Sequence, residues 1–194
     1  MERNKINITQ LLLLVTKYIA ENNEGSEKVL EGKTLLMKIL YFLNKKINLE
    51  INFSPYFYGP YSPEVSNGIE DLKAMGLLKE EIKFYKEDWG TDFEPKLYRY
   101  QMSDFAADVV PIIEQEFPDI SSNTKKVIAN ILNLSKGKSK ILSISAKMYH
   151  ILDIEERPMT KEEILKEAIH FKWNIDSEEA DAAINILQKI NLIE

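Results

Sequence analysis

Apolar residues recur at every third or fourth position over residues 7–21 and 33–46, which predicts two amphipathic helices. Asn7 is a suitable N-cap for the first of them. A third helix is predicted to begin after Ser62, which also favours the N-cap position, and Pro63 suits the first turn. Gly76 then ends this helix, because glycine tolerates the left-handed backbone of a helix C-terminus.

After the third helix, the pattern changes to that of a β-hairpin. Leu78–Tyr85 and Lys96–Met102 are the predicted arms, and the loop "KEDWGTDFEP" joins them. Ile51 and Phe53 alternate with polar neighbours, which predicts a short strand beside this hairpin. Three helices followed by a hairpin is the order of a winged-helix domain, so we predict such a domain over residues 1–102.

From Ser103 onward the pattern is helical throughout, which predicts a helical domain over residues 103–194. A helix beginning at Ser103 is expected to kink or break at Pro111, because proline removes a backbone donor. Further helices are predicted at Asn123–Leu134, Ser139–Leu152, Thr160–His170 and Ser177–Ile190. The predicted fold class is mainly α with a small β wing.

The ends of two predicted helices resemble each other in sequence. "SPEVSNGIEDLKAMGLLK" from Ser62 aligns without gaps with "SEEADAAINILQKINLIE" from Ser177. In this alignment Leu72 matches Leu187, and Gly76 matches Asn191. Glycine and asparagine are the two residue types best suited to a left-handed helix cap. One interpretation is a second helix-turn-helix unit at about residues 139–194. The other is chance convergence of two helical patterns.

The run "NFSPYFYGPYSP" between the second and third helices contains five aromatic residues and three prolines. Gly59 and the prolines predict a rigid turn. One interpretation is that Tyr56, Tyr58 and Tyr61 pack over the core. The other is an exposed aromatic surface that stacks on bases or binds a partner protein.

These residues also carry a family resemblance. "GKTLLMKILYFLNKK", Gly32–Lys46, and "FSPYFYGPYSPEVSNGIEDLKAMGLL", Phe53–Leu78, resemble the YwgA-like family of uncharacterised prokaryotic proteins. The Tyr-Gly-Pro turn is also similar, more distantly, to the Panacea (SocA-like) antitoxin domain. The resemblance covers about fifty residues. It implies a winged-helix-like fold in a regulatory or antitoxin setting, and no catalytic residues.

Composition narrows the classes of function. The 194-residue chain has a net charge of −6, so a basic footprint over the whole protein is absent. It has no cysteine, which excludes disulfides and thiolate metal sites. Its longest apolar run is Leu11–Val15, too short to span a bilayer, and its N-terminus is polar. We expect a cytoplasmic protein that does not enter the membrane.

Basic residues concentrate in one region, where no acid occurs between Ile120 and Leu152. This region is the candidate for contact with the DNA backbone. The alternative is a solvated cationic face. Its six lysines are Lys125, Lys126, Lys136, Lys138, Lys140 and Lys147. The predicted third helix is acidic, which disfavours the usual insertion of a recognition helix into the major groove.

The sequence contains little that supports an enzymatic activity or a metal site. Glu167 and His170 have the spacing used in di-iron bundles, but a second such motif is missing. "GKS" at Gly137–Ser139 lacks the first glycine of a phosphate-binding loop. We therefore predict no cofactor, no metal and no enzymatic activity.

Two functional classes remain open at this point. In the first, the protein is a regulator that contacts double-stranded DNA through the lysine region. In the second, it is an antitoxin-like or adaptor module whose partner is another protein, such as a toxin. The helices after Ser103 are also compatible with a homodimer.

Overall fold

The computed structural model describes residues 5–22, 29–84, 96–136 and 138–194. The described part is mainly helical with a small antiparallel sheet, which confirms the predicted fold class at this level. In chain order the elements are α1 (Ile8–Glu21), β1 (Leu30–Glu31), α2 (Lys33–Ile47), α3 (Pro63–Ala74), β2 (Leu78–Phe84), β3 (Lys96–Met102), α4 (Asp104–Glu116), α5 (Pro118–Ser135), α6 (Ser139–Glu155), α7 (Lys161–His170) and α8 (Ser177–Lys189).

Local capping explains where several helices begin. The Asn7 side chain accepts a hydrogen bond from the Gln10 backbone amide, and the Gln10 side-chain oxygen accepts one from the Asn7 backbone amide. Thr160 forms the same reciprocal box at the start of α7. Ser62 caps α3, as predicted, and Pro63 follows at the first helical position. Each box satisfies amide donors that the helix itself leaves without acceptors.

The sheet has the order β1-β3-β2, and all neighbours are antiparallel. The β2–β3 hairpin confirms the predicted arms, while Tyr85 and the loop residues 86–95 lie outside the described residues. The third strand is β1, where Leu30 pairs with Tyr100. The prediction of a strand at Ile51 and Phe53 is wrong. Both backbone groups of Ile51 bond instead to the Asn44 side-chain amide, at 3.0 and 2.8 Å.

Of the kink or break predicted at Pro111, the break is wrong, because α4 runs through this residue, and the kink stays a prediction. Val110 and Ile113 are buried on either side of it, so continuing the helix keeps both in the core. The break lies at Phe117, whose backbone leaves the helical region at φ −124° and ψ 60°. Pro118 then begins α5, earlier than the predicted Asn123.

One hydrophobic core joins the two predicted domains. Helix α1 packs on α3, α4 and α5, α2 packs on α5 and α6, and α6 packs on α7 and α8. Close approach of α1 and α3 depends on Gly68, where a Cβ atom would lie 2.7 Å from Cδ1 of Leu12. The boundary near Met102 and Ser103 stays a prediction.

The aligned helix ends adopt the same cap. Gly76 and Asn191 both have positive φ, 69° and 53°. The following amide, of Leu77 or Leu192, bonds back to a leucine carbonyl at 2.9 or 3.0 Å. The two starts differ by one position, because Ser62 caps α3 whereas Asp176 caps α8. The sequence similarity therefore reflects one shared C-terminal geometry.

None of the described helices combines the length and the apolar character that crossing a membrane requires.

Candidate functional site: the aromatic turn and its supports

The aromatic run folds into a closed turn over residues 54–61. Ser54 and Tyr61 exchange two backbone hydrogen bonds, each 2.9 Å long. Inside this bridge the Gly59 amide donates to the Tyr56 carbonyl at 2.9 Å. Gly59 has φ +97°, a conformation that L-residues rarely adopt, so the turn depends on glycine here. The predicted rigid turn is thus a tight loop closed by its own backbone.

Three side chains from distant parts of the chain bind the backbone of this turn. Each donates a hydrogen bond to a backbone carbonyl of the turn at 2.7 Å. The pairs are Lys38 with Pro60, Ser143 with Tyr58, and Trp173 with Tyr56. The donors come from α2, α6 and the segment after α7, so the turn is anchored to both halves of the molecule.

The tip of the turn presents aromatic side chains to solvent. The side chains of Tyr56, Phe57 and Tyr58 are 55%, 71% and 62% exposed. Tyr61 is partly buried, and its ring centroid lies 5.2 Å from that of Tyr56. Of the three tyrosines predicted as a partner surface, Tyr56 and Tyr58 are therefore exposed to solvent, whereas Tyr61 packs against the core. Phe57 was not among the predicted site residues, although its place in the same aromatic run was a signal for it.

Lys38 lies buried directly under the turn, with 2% of its surface exposed. Its Nζ donates to the Pro60 carbonyl, and no ion pair to a carboxylate joins it among the residues described. Burial, together with the smaller effect of the positive charge of Lys147, lowers the Lys38 pKa to about 7. A Cβ atom on Gly59 would lie 3.2 Å from this amine.

His150 and Tyr41 extend the buried polar region behind Lys38. Their ring centroids are 5.8 Å apart. Neither imidazole nitrogen of His150 nor the hydroxyl of Tyr41 has a hydrogen-bond partner within the described chain. Burial lowers the His150 pKa to about 4 and raises the pKa of Tyr41. Both groups are therefore uncharged at neutral pH.

The predicted DNA-binding lysines do not act as one group. Lys125 pairs with Glu21 at 3.2 Å and lies over the Tyr18 ring. Lys140 forms an ion pair with Glu179, whose hydrogen bond and charge raise the Lys140 pKa. Acidic side chains outside the lysine region thus engage two of its members.

Lys147 is half-buried against the aromatic turn. Its Nζ lies 5.7 Å from the centroid of the Trp173 ring, and burial lowers its pKa. It shares helix α6 with Ser143, which bonds the turn. The structure therefore brings one end of the predicted lysine region into contact with the predicted aromatic surface.

The remaining three lysines, Lys126, Lys136 and Lys138, are exposed. Lys126 lies on α5, and Lys136 caps the end of that helix in the left-handed conformation. Lys126 and Lys136 are separated by roughly 15 Å along the helix axis, since each residue adds about 1.5 Å. Gly137, in the middle of the basic turn, lies outside the described residues.

The third helix is acidic in three dimensions as well. Its basic residue near the C-terminus, Lys73, pairs with Glu70 at 2.8 Å and with Glu80 of β2 at 2.9 Å. These pairs neutralise Lys73 within the protein itself. Phosphate groups approaching α3 would therefore meet net negative charge.

The candidate metal residues are engaged locally. His170 and Glu167 form a hydrogen bond of 2.8 Å, while Glu163 caps α7 and pairs with Arg157 at 3.1 Å. No cluster of three or more histidine and acidic side chains suited to a metal ion occurs in the described ranges.

Comparison with known proteins gives one relative of note. The chain is 24% identical over 163 residues to "Uncharacterized protein YwgA" from Bacillus subtilis (strain 168), covering 84% of this chain and 88% of that protein. No family model matches the chain. The similarity spans both predicted domains and supports the YwgA-like resemblance. The resemblance to the Panacea domain stays a prediction.

Proposed function

We propose that this protein is a non-enzymatic regulatory adaptor that binds another protein through its aromatic turn. The observation that carries the proposal is the combination of three exposed aromatic side chains with a backbone anchored at three carbonyls. Anchoring lowers the entropic cost of binding, because the turn is ordered before the partner arrives. Exposed aromatic residues are also the side chains most enriched among binding hot spots.

The position of the lysines favours a protein partner over DNA. Lys125 and Lys140 are engaged by acids, and Lys147 is half-buried over Trp173. A counterion-release mechanism needs many free cations along one path. The aromatic turn, in contrast, is free of charge at its tip and suits an apolar surface on a protein.

We further propose that residues 1–102 form a winged-helix unit and that α6 to α8 include a second helix-turn-helix. The element order of the first unit and its sheet order β1-β3-β2 support this assignment. The shared cap at Gly76 and Asn191 supports the second unit. The resemblance to antitoxin domains favours a toxin-like protein as the partner.

The test is co-expression with the products of the genes that neighbour its own, followed by a binding measurement with each purified candidate. Replacing Tyr56, Phe57 and Tyr58 together by serine should weaken a true complex by at least about a hundredfold. The matched control replaces Phe105 and Ile112, which are exposed on α4, by serine. Equal affinity in the wild type and the turn variant would refute the proposal.

The proposed winged-helix arrangement also favours a second candidate function, regulation by DNA binding. Fluorescence anisotropy with a duplex from the upstream region of the gene, at two salt concentrations, tests it. Binding that weakens steeply with salt, and is lost when Lys126, Lys136 and Lys138 become glutamine, would establish this alternative. No binding at low salt would exclude it.

A further inference from the structure

Lys38 is an unusual support for the aromatic turn because it is a buried amine that has no anionic partner among the described residues. Its Nζ has the Pro60 carbonyl as its hydrogen-bond acceptor, at 2.7 Å. A neutral amine that donates one N–H in this way carries no charge, so its burial costs less than burial of the cation. A protonated one carries a full charge and one more N–H, for which the described surroundings offer no carboxylate.

The charged groups around Lys38 make protonation still less favourable. Lys147 of α6 repels it directly. His150 also lies on α6, and the charge of Lys38 adds to the effect of burial in lowering its pKa. Asp153 raises the His150 pKa, whereas Lys45 lowers it. In the described part of α1, α5 and the sheet, no side chain forms an ion pair with Lys38.

We propose that Lys38 is a proton-operated latch, whose protonation releases the turn of residues 54–61 from α6 and so loosens the aromatic surface. The proposal rests on the proposed function in one respect, namely that this turn is the binding surface. When the turn moves outward, water reaches Nζ and removes the desolvation cost. Release therefore relieves the penalty without unfolding the helical core.

Two further contacts hold the turn against Lys38 and its neighbours. Gly59 packs so closely that an added Cβ would meet Lys147 Cγ at 3.0 Å and Lys38 Nζ at 3.2 Å. Trp173 donates from Nε1 to the Tyr56 carbonyl, with Lys147 over its ring. Any outward movement of the turn breaks this hydrogen bond, which makes the indole of Trp173 a reporter of release.

The Lys38 amine changes its charge in a pH range that experiments can reach. The Lys38 pKa is about 7 and the His150 pKa is about 4, so the two transitions are separated. The closed turn is favoured most when the amine is uncharged. Its stability relative to the open turn declines as pH falls from the ordinary lysine pKa of 10.5 to the value of about 7 in the closed turn, and it is lowest below that pH.

The experiment follows Trp173 fluorescence between about pH 5 and pH 9 in the full chain. The protein has two tryptophans, so Trp89→Phe is introduced first to leave a single reporter. The expected result is an emission shift with a midpoint near pH 7. The shift should vanish when Lys38→Met is added, since methionine is uncharged, and should remain when His150→Phe is added instead.

A second measurement does not depend on whether the methionine variant folds. The wild-type protein, labelled with ¹³C at lysine Cε, is titrated by NMR. One lysine should titrate near pH 7, together with the fluorescence shift. A fluorescence shift that survives Lys38→Met, or the absence of any lysine titrating below about pH 9, would overturn the proposal. Neither readout uses a partner, so its failure is distinct from failure of the adaptor function.

Discussion

Gly59 shows how much of the aromatic turn depends on a single residue. Its φ of +97° disfavours any side chain, and an added Cβ would press on Lys147 and Lys38 at 3.0 and 3.2 Å. We expect Gly59→Ala to lower the free energy of unfolding by about 2–4 kcal/mol, from backbone strain and overpacking together. Urea denaturation measures the change.

The matched control for that substitution is Gly76→Ala. Gly76 also has positive φ, +69°, but an added Cβ would meet nothing within 4 Å. This variant should cost only about 1 kcal/mol, the strain contribution alone. Equal losses in the two variants would show that contact with the two lysines is unimportant.

His150 predicts how stability depends on pH in the acid range. Its pKa is about 4 in the folded protein and 6.5 when unperturbed, because burial disfavours the imidazolium. Between these values the unfolded chain binds more protons, so the free energy of unfolding falls as pH falls. The slope is about 1.4 kcal/mol per pH unit.

Denaturation at several pH values between about 6.5 and 4 should therefore give a shallower slope for His150→Phe than for the wild type. His170, an exposed histidine paired with Glu167, provides the control. A His170→Gln variant removes the other histidine and serves as the comparison for the slope. An unchanged slope in His150→Phe would mean that the pKa of His150 is the same in the folded and unfolded chain.

At the scale of the element, the cap shared by α3 and α8 gives a prediction at Asn191. The residue has φ 53°, where asparagine is tolerated and glycine is preferred. Asn191→Gly should leave stability equal or slightly higher, whereas Asn191→Ala should cost about 1 kcal/mol. Thermal unfolding of the two variants compares them, and the opposite order would contradict the assigned cap.

Elements controlled by nearby residues could be predicted from the sequence. The starts of α1, α3 and α7 follow from caps that lie within three residues of their partners. Strand β1 could not be predicted, because it has two residues and pairs with Tyr100, seventy positions away. The failure at Ile51 has a different origin, since the side chain of Asn44, seven positions away, bonds the backbone groups that a strand partner would have paired.

The site was partly predictable for the same reason. The turn itself follows from Gly59 and its prolines, but its anchors do not. Lys38 looks like one of many surface lysines until the fold buries it. Lys140 similarly meets Glu179 only after α6 and α8 pack together. Long-range pairing of this kind leaves no local pattern in the sequence.

At the scale of the whole molecule, the shared core predicts one cooperative unfolding transition. Met148 is fully buried on α6, which packs against α2 of the other predicted domain. Met148→Ala should cost about 2–5 kcal/mol through the cavity that it leaves. It should also lower hydrogen-exchange protection in α2 and α6 together, as mass spectrometry would detect. Loss confined to α6 would instead indicate two separate units.

The strand order has one more consequence for the molecule as a whole. Because β3 is central, β2 is an edge strand that offers a row of backbone groups to any other extended chain. Its outward residues include Lys79, Glu81 and Lys83, all of them exposed and charged. Charges on an edge discourage a second strand from adding and starting a fibril. These charges on β2 therefore disfavour edge-to-edge pairing of two copies through this strand.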